Sequence, residues 1–315
     1  MGRVVVTRRL PEGGTDPLVT AGHKVVLNEE DAPFTKRQLC DAARDADALL
    51  CVLTDRIDDE VLAAGGDRLR VVATVAVGYD NIDVSAAAAH GVAVCNTPGV
   101  LDDTTADLAF LLILSASRLA SAAERDLRAG SWSGWGITQY LGVDVHGAIL
   151  GVVGFGRIGQ AVARRGAGFG MEVLHHARTP TGVPGFVADL DQLLAESDIV
   201  SLHVPLTDET RHLIDARRLA CMKRTAVLVN TARGPVVDEE ALAQALEDGT
   251  IFAAGLDVYE REPTVSPRLL AAPRAVLTPH LGSASRTTRT RMAHLACDGI
   301  VAVLAGQRPT NLVAP

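Results

Sequence analysis

The feature that most constrains this chain is an alternation. Short runs of Val, Ile, Leu and Ala recur along 315 residues, separated by stretches whose apolar positions repeat at helical spacing. Eleven runs read as strands. The first five are Arg3–Thr7, Lys24–Leu27, Ala48–Leu53, Val71–Ala76 and Val92–Cys95. The other six are Ala148–Val153, Glu172–His175, Ile199–His203, Ala226–Asn230, Ala253–Asp257 and Ala275–Thr278. They are apolar throughout rather than alternately polar, which is the pattern of parallel strands covered on both faces. Strands alternating with helices then predict an α/β fold with parallel sheets. The chain exceeds the size that one core usually serves, so two α/β units are expected, with a break near Asn96-Thr97-Pro98-Gly99. The spacing predicts one long helix from Asp102 to Leu119, with Asp102 or Asp103 as N-cap, and a second at Arg289–Leu304.

Composition excludes several classes of function. Hydrophobic residues make up 48% and charged residues 22%, as in a soluble globular protein. A formal charge of −8 argues against a nucleic-acid surface. The longest apolar stretch, Leu108 to Leu114, is too short to span a bilayer. The N-terminus opens on a strand rather than a signal-type apolar run, so a cytoplasmic protein is expected. Cys40, Cys51, Cys95, Cys221 and Cys297 are scattered without a CxxC. That predicts reduced thiols and no metal site.

Gly154-Phe155-Gly156-Arg157-Ile158-Gly159 follows the strand ending at Val153 and opens a helix. A glycine-rich turn in that context lets backbone approach a pyrophosphate, held by the N–H groups and dipole of the helix start. NAD sites usually carry an acidic residue about twenty positions later, on the ribose 2′-hydroxyl. Here Ala177 stands in that place, followed by Arg178 and Thr179. A guanidinium pairs with a 2′-phosphate that a carboxylate would repel, so NADP(H) is expected in preference to NAD(H).

Three further segments follow strands, where open α/β sheets place ligands. They are Asn230-Thr231-Ala232-Arg233-Gly234, Gly255-Leu256-Asp257-Val258-Tyr259-Glu260-Arg261-Glu262-Pro263 and Thr278-Pro279-His280-Leu281-Gly282-Ser283. Reducing a 2-keto acid takes a cation for the carboxylate and carbonyl, an acid for the developing alkoxide, and a group that favours the acid's protonated form. Arg233, His280 and Glu262 supply these three.

In their order and spacing, the glycine loop, NTARG, GLDVYEREP and TPHLGS resemble the D-isomer-specific 2-hydroxyacid dehydrogenases over nearly the whole chain. The resemblance implies that Arg233 binds substrate, His280 is the general acid/base and Glu262 its partner. It places Asp257 near the nicotinamide carboxamide, and Thr105, His203, Pro205, Thr210, Thr231, Ala232 and Gly282 along the cofactor. It implies a flavodoxin-like substrate domain at 1–98 plus 285–315, a dinucleotide-binding domain at 99–284, and an active site in the cleft between them. Val77 and Gly78, in the string Val75-Ala76-Val77-Gly78-Tyr79-Asp80-Asn81, would hold the substrate carboxylate through backbone N–H groups. Leu53 and Ser283 would line the same pocket.

The lead-in Gly142-Val143-Asp144-Val145-His146-Gly147, the Gly130-Ser131-Trp132 stretch and Ala177-Arg178-Thr179 are similar to the glyoxylate/hydroxypyruvate reductase branch. That branch implies a homodimer, with Trp132 or Trp135 either reaching a neighbouring site or anchoring the interface. The same scaffold serves bulkier 2-keto acids, phosphite, formate and phosphoglycerate, and a dinucleotide-sensing corepressor. The absence of a regulatory domain after the last helix argues against a long-form phosphoglycerate dehydrogenase.

Overall fold

A computed structural model describes residues 1–314. In chain order the first elements are β1 (Arg3–Val6), α1 (Asp16–Thr20), β2 (Lys24–Leu27), α2 (Lys36–Asp45) and β3 (Ala48–Cys51). They continue with α3 (Asp59–Gly65), β4 (Val71–Thr74), α4 (Val84–Ala89) and β5 (Ala93–Cys95). Next come α5 (Asp102–Ser117), α6 (Ala120–Arg128), β6 (Ile149–Val153), α7 (Arg157–Gly168), β7 (Glu172–His176), α8 (Leu190–Glu196) and β8 (Ile199–Leu202). The chain ends with α9 (Ala216–Cys221), β9 (Val227–Asn230), α10 (Glu239–Glu247), β10 (Ala253–Leu256), α11 (Pro267–Ala271), β11 (Ala275–Leu277) and α12 (Arg286–Leu304).

All eleven expected strands form, most of them a residue or two shorter than their apolar runs. Several of the trimmed residues still bond to the neighbouring strand, as Thr7, His203, Asp257 and Thr278 do through their N–H groups. Two compact units result: Met1–Leu101 with Ser283–Pro315, and Asp102–Gly282.

In the first unit five strands lie in the order β2-β1-β3-β4-β5, all parallel. Val4, Val6, Leu50, Val71 and Ala73 cover one face of this sheet with Ala296, Cys297 and Ile300 of α12. The C-terminal helix therefore completes the core begun by the N-terminal third. Leu39, Val61, Leu62 and Ala87 cover the other face. The sheet order reverses between β1 and β3, and there the Thr7 hydroxyl donates to Asp55 Oδ2 at 2.5 Å.

The second unit holds six parallel strands in the order β11-β10-β9-β8-β6-β7. Helix α5 packs across β9, β10 and β11 and buries Phe110, Leu112 and Ile113 in one of this unit's cores. Two expectations about α5 are corrected. Asp102 and Asp103 lie within its first turn, where their charge suits the helix dipole, and neither is its N-cap. The helix also stops at Ser117. Leu119 takes a left-handed conformation (φ 52°) and α6 sets off after it. The apolar spacing runs on through Leu119 without Gly or Pro, so nothing local marked the break. Helix α12 starts three residues before its expected limit, because the Ser285 hydroxyl accepts from the Thr288 N–H as N-cap.

The five cysteines are free, and all but Cys221 are buried. Among the described residues, no single helix is long and apolar enough to cross a membrane.

Candidate active site

In the second unit the strands β6 and β8 flank the point where the strand order reverses, and the glycine loop sits there. Gly154 has φ 94°, and a Cβ on it would meet the backbone of His203 at 2.7 Å. A Cβ on Gly159 would meet Gly154 O at 2.1 Å. These two glycines are needed for the turn and for the approach of helix to strand. Gly156 is different: a Cβ there would meet nothing within 4 Å. As N-cap of α7 it offers no side-chain acceptor to the N–H groups of Arg157, Ile158 and Gly159. Open space beside uncapped amides at a helix start fits a diphosphate.

Ala177, Arg178 and Thr179 follow β7, with Arg178 and Thr179 exposed. Glu209, in the loop after β8, is held below the usual carboxylate range, first by a hydrogen bond from Thr207 and less by the charge of Arg178. In that same loop the Thr210 hydroxyl donates to Pro205 O at 2.7 Å. Burial holds the His203 imidazole well below its ordinary range, and its Nε2 lies 2.8 Å from Ser201 Oγ. The His203 backbone, not its ring, is what lies against Gly154.

The Arg233, Glu262 and His280 segments follow the adjacent strands β9, β10 and β11. Asn230 ends β9 and shapes the turn after it. Its Nδ2 donates to Arg233 O at 2.9 Å, and its Oδ1 accepts from the Ala232 N–H at 3.0 Å. Thr231 Oγ1 is buried without a partner among the described residues, which suits contact with a bound cofactor. Gly234 follows Arg233 because its Cα lies against the chain at Tyr259, where a Cβ would fall 1.9 Å from a backbone carbon.

Asp257, just after β10, is almost fully buried. Its Oδ1 accepts from the Thr278 hydroxyl at 2.6 Å and the Leu281 N–H at 2.7 Å, and its Oδ2 accepts from the Gly282 N–H at 2.8 Å. The Asp257 carbonyl also accepts from the His280 N–H at 2.9 Å. This carboxylate is thus the frame on which the His280 loop is built. Thr105 lies beside it: a Cβ on Gly282 would come 3.4 Å from Asp257 Oδ2 and 3.5 Å from Thr105 Cγ2. His280 is held at φ 55°, a conformation that non-glycine residues rarely adopt and that clusters at functional sites.

His280 Nδ1 lies 2.8 Å from Glu262 Oε2, while Glu262 Oε1 accepts from the Tyr259 N–H at 3.1 Å. Burial pushes the Glu262 carboxyl up, but the His280 hydrogen bond and charge outweigh it and leave the group below its usual range. An ionised Glu262 can only accept, so the hydrogen between the pair resides on His280 Nδ1. Nε2 is then the ring nitrogen available for proton exchange. Tyr259 locks the pair from behind, its hydroxyl donating to Thr278 O at 3.0 Å. Asn230, Tyr259 and Thr278 were not singled out from the sequence. Only their places next to strand ends could have suggested them.

In the first unit, Leu53 follows β3 and Val77-Gly78 follow the neighbouring β4. Asn81 Nδ2 donates to Asp55 O at 2.8 Å, and Asn96 Nδ2 donates to Val77 O at 2.8 Å, so the loop is tied down on both sides. The N–H groups of Val77 and Gly78 have no hydrogen-bond partner among the described residues. Ser283 opens the last segment of this unit and accepts from the Ser285 N–H through its carbonyl.

Comparison with known proteins shows the family. The family model for the NAD binding domain of D-isomer specific 2-hydroxyacid dehydrogenases matches residues 110–282. A glyoxylate reductase of Korarchaeum cryptofilum is 48% identical, covering 99% of this chain and 95% of its own. One from Thermococcus onnurineus is 45% identical with the same coverage. Among solved structures, the TT0316 protein of Thermus thermophilus superposes with a TM-score of 0.94 at 46% identity, covering 99% of this chain and 100% of its own. The NADPH-dependent glyoxylate/hydroxypyruvate reductase of Sinorhizobium meliloti, in complex with NADP and malonate, gives 0.86 at 34% identity, covering 99% of this chain and 96% of its own.

Proposed function

Because the chain belongs to the D-isomer specific 2-hydroxyacid dehydrogenase family, we propose that it reduces small 2-keto acids of the glyoxylate and hydroxypyruvate type to D-2-hydroxy acids, with NADPH preferred over NADH. The observation that carries the chemistry is the Glu262–His280 pair at 2.8 Å, placed after adjacent strands with Arg233. The nicotinamide, when bound, supplies the hydride that reaches the keto carbon. His280 gives its Nε2 proton to the carbonyl oxygen as the C=O double bond becomes a C–O single bond. Glu262 keeps the Nδ1 hydrogen in place and balances the imidazolium charge. Arg233 holds the substrate carboxylate and polarises the carbonyl. In the first unit, Val77 and Gly78 offer unpartnered N–H groups of the kind that hold a carboxylate.

Residues of the second unit fit the cofactor: Gly156 and the start of α7 for the diphosphate, Arg178 and Thr179 for a 2′-phosphate, and Thr231 for the nicotinamide end. Support for NADPH comes from Ala177 and Arg178 standing where a carboxylate would serve NADH. The smallness of the substrate is supported by the relatives' activities. A homodimer is part of this reading. It is supported by an apolar stretch in which Leu127, Trp132, Ile137 and Leu141 are exposed and Trp135 is 80% exposed. A cytoplasmic setting is supported by the five free thiols.

A panel of 2-keto acids against NADPH and NADH tests substrate and cofactor together. Glyoxylate or hydroxypyruvate should give the highest kcat/KM with NADPH. Turnover of no 2-keto acid with either cofactor would sink the proposal.

A further inference from the structure

One buried side chain in the second unit is unused by the chemistry above. His175, in β7, is fully buried, and its ring stacks on Phe155 with centroids 3.7 Å apart and planes at 21°. Phe155 is the second residue of the glycine loop. Phe186 also packs near this ring, with centroids 5.8 Å apart and planes tilted by 58°. His175 Nε2 lies 2.6 Å from Thr181 Oγ1, while Nδ1 is buried with no partner.

These contacts bracket one loop. Residues 177–185 leave β7 and return to it: the His175 N–H donates to Gly185 O at 2.8 Å, and the Val187 N–H donates to His175 O at 2.8 Å. Between those ties Arg178, Thr179, Pro180, Gly182, Val183 and Pro184 are exposed. Thr181 turns inward. Its hydroxyl oxygen accepts from the Val183 N–H at 3.2 Å and meets the imidazole. With Nε2–H donating to Thr181, the atom left unpartnered is a lone pair on Nδ1, which costs less than a buried orphan N–H. Burial also pushes the imidazole below its ordinary range, in keeping with a neutral ring. A polar ring at this place has no use in the core, where an apolar one would stack as well without an orphan atom. Its one polar contact reaches the middle of the Arg178 loop.

We propose that His175 is a positioning residue for cofactor discrimination: stacked on Phe155 and bonded to Thr181, it sets the Arg178–Thr179 loop at a fixed distance from the diphosphate loop. A dinucleotide carrying a 2′-phosphate engages both loops at once, so its affinity depends on that spacing. One lacking the phosphate needs only the glycine loop. The inference rests on the NADPH reading.

The test is calorimetric titration of the whole protein with 2′,5′-ADP and with 5′-AMP. Thr181→Val removes the bond to His175 at a surface loop and keeps the volume. It should weaken 2′,5′-ADP roughly five- to tenfold, about the worth of one hydrogen bond, and 5′-AMP less than twofold. Thr181→Ser should restore the wild-type ratio, and His175→Phe, which keeps the stack, should reproduce Thr181→Val. Equal weakening of both nucleotides by Thr181→Val, or weakening of neither, overturns the inference. Arg178→Ala, titrated alongside, separates the two readings. If it leaves 2′,5′-ADP binding unchanged, the NADPH reading falls and this inference with it. If it weakens 2′,5′-ADP selectively while Thr181→Val does not, this inference alone falls.

Discussion

His280 differs from a histidine in an ordinary turn in two ways: its backbone is left-handed at φ 55°, and its Nδ1 is tied to a carboxylate. Asn tolerates left-handed backbone, so His280→Asn keeps the loop while removing the proposed proton donor. It should lower kcat by ~10²–10⁴ with the fold retained. A kcat near wild type would assign proton transfer to another group. Glu262 carries a pH signature. Its carboxyl sits below the ordinary 4.5, so the stabilisation it draws from His280 is present above that value and is lost as pH falls through the lower folded value. Thermal midpoints of wild type and Glu262→Gln should therefore differ near neutrality and converge as pH falls through that lower folded value. A difference that stays constant with pH would show that the ionised form has no special place in the fold. At the cofactor's far end, Arg178→Ala should raise KM for NADPH well above that for NADH, and an equal rise in both would remove the basis for preferring NADPH.

At the scale of elements, the glycines separate turns that the fold needs from space that a ligand needs. Gly156→Ala meets no atom within 4 Å and keeps an allowed backbone (φ −75°), so stability should stay within about 0.5 kcal/mol of wild type. Cofactor affinity should nevertheless fall, because the added methyl occupies the approach to the diphosphate. Gly234→Ala pushes a Cβ to 1.9 Å from Tyr259 backbone and should cost about 1–3 kcal/mol while displacing Arg233. Chemical denaturation and cofactor titration of the two variants read these opposite patterns directly. Should Gly156→Ala instead destabilise the protein and leave cofactor binding intact, the diphosphate assignment would fail.

For the molecule as a whole, each unit closes its own sheet, and the C-terminal helix belongs to the first unit because Ala296, Cys297 and Ile300 fill its core. The second unit leaves Ile137 75% exposed and Trp135 more so, in a stretch with little regular structure. If the proposed homodimer forms, charged substitutions at Ile137 and Leu141 should shift sedimentation from dimer to monomer without lowering the helix content. A wild-type protein that sediments as a monomer at every concentration would overturn the dimer.

Much of this was legible in the chain itself. Apolar runs of four to six residues alternating with helical spacing are the pattern of parallel strands covered on both faces, so all eleven strands and the α/β class followed from pattern. The glycine loop and the Arg233, Glu262 and His280 segments stood out as candidates because each lies in a loop that follows a strand, where open α/β sheets place ligands. What pattern could not reach depends on contacts between distant segments. The end of α5 at Ser117, the frame that Asp257 builds for the His280 loop 21 to 25 residues away, and the Phe155–His175–Thr181 contact all arise from packing. Periodicity is a property of neighbours along the chain. The neighbours that set a hydrogen bond or a stacked ring are chosen only when the sheet brings its strands side by side.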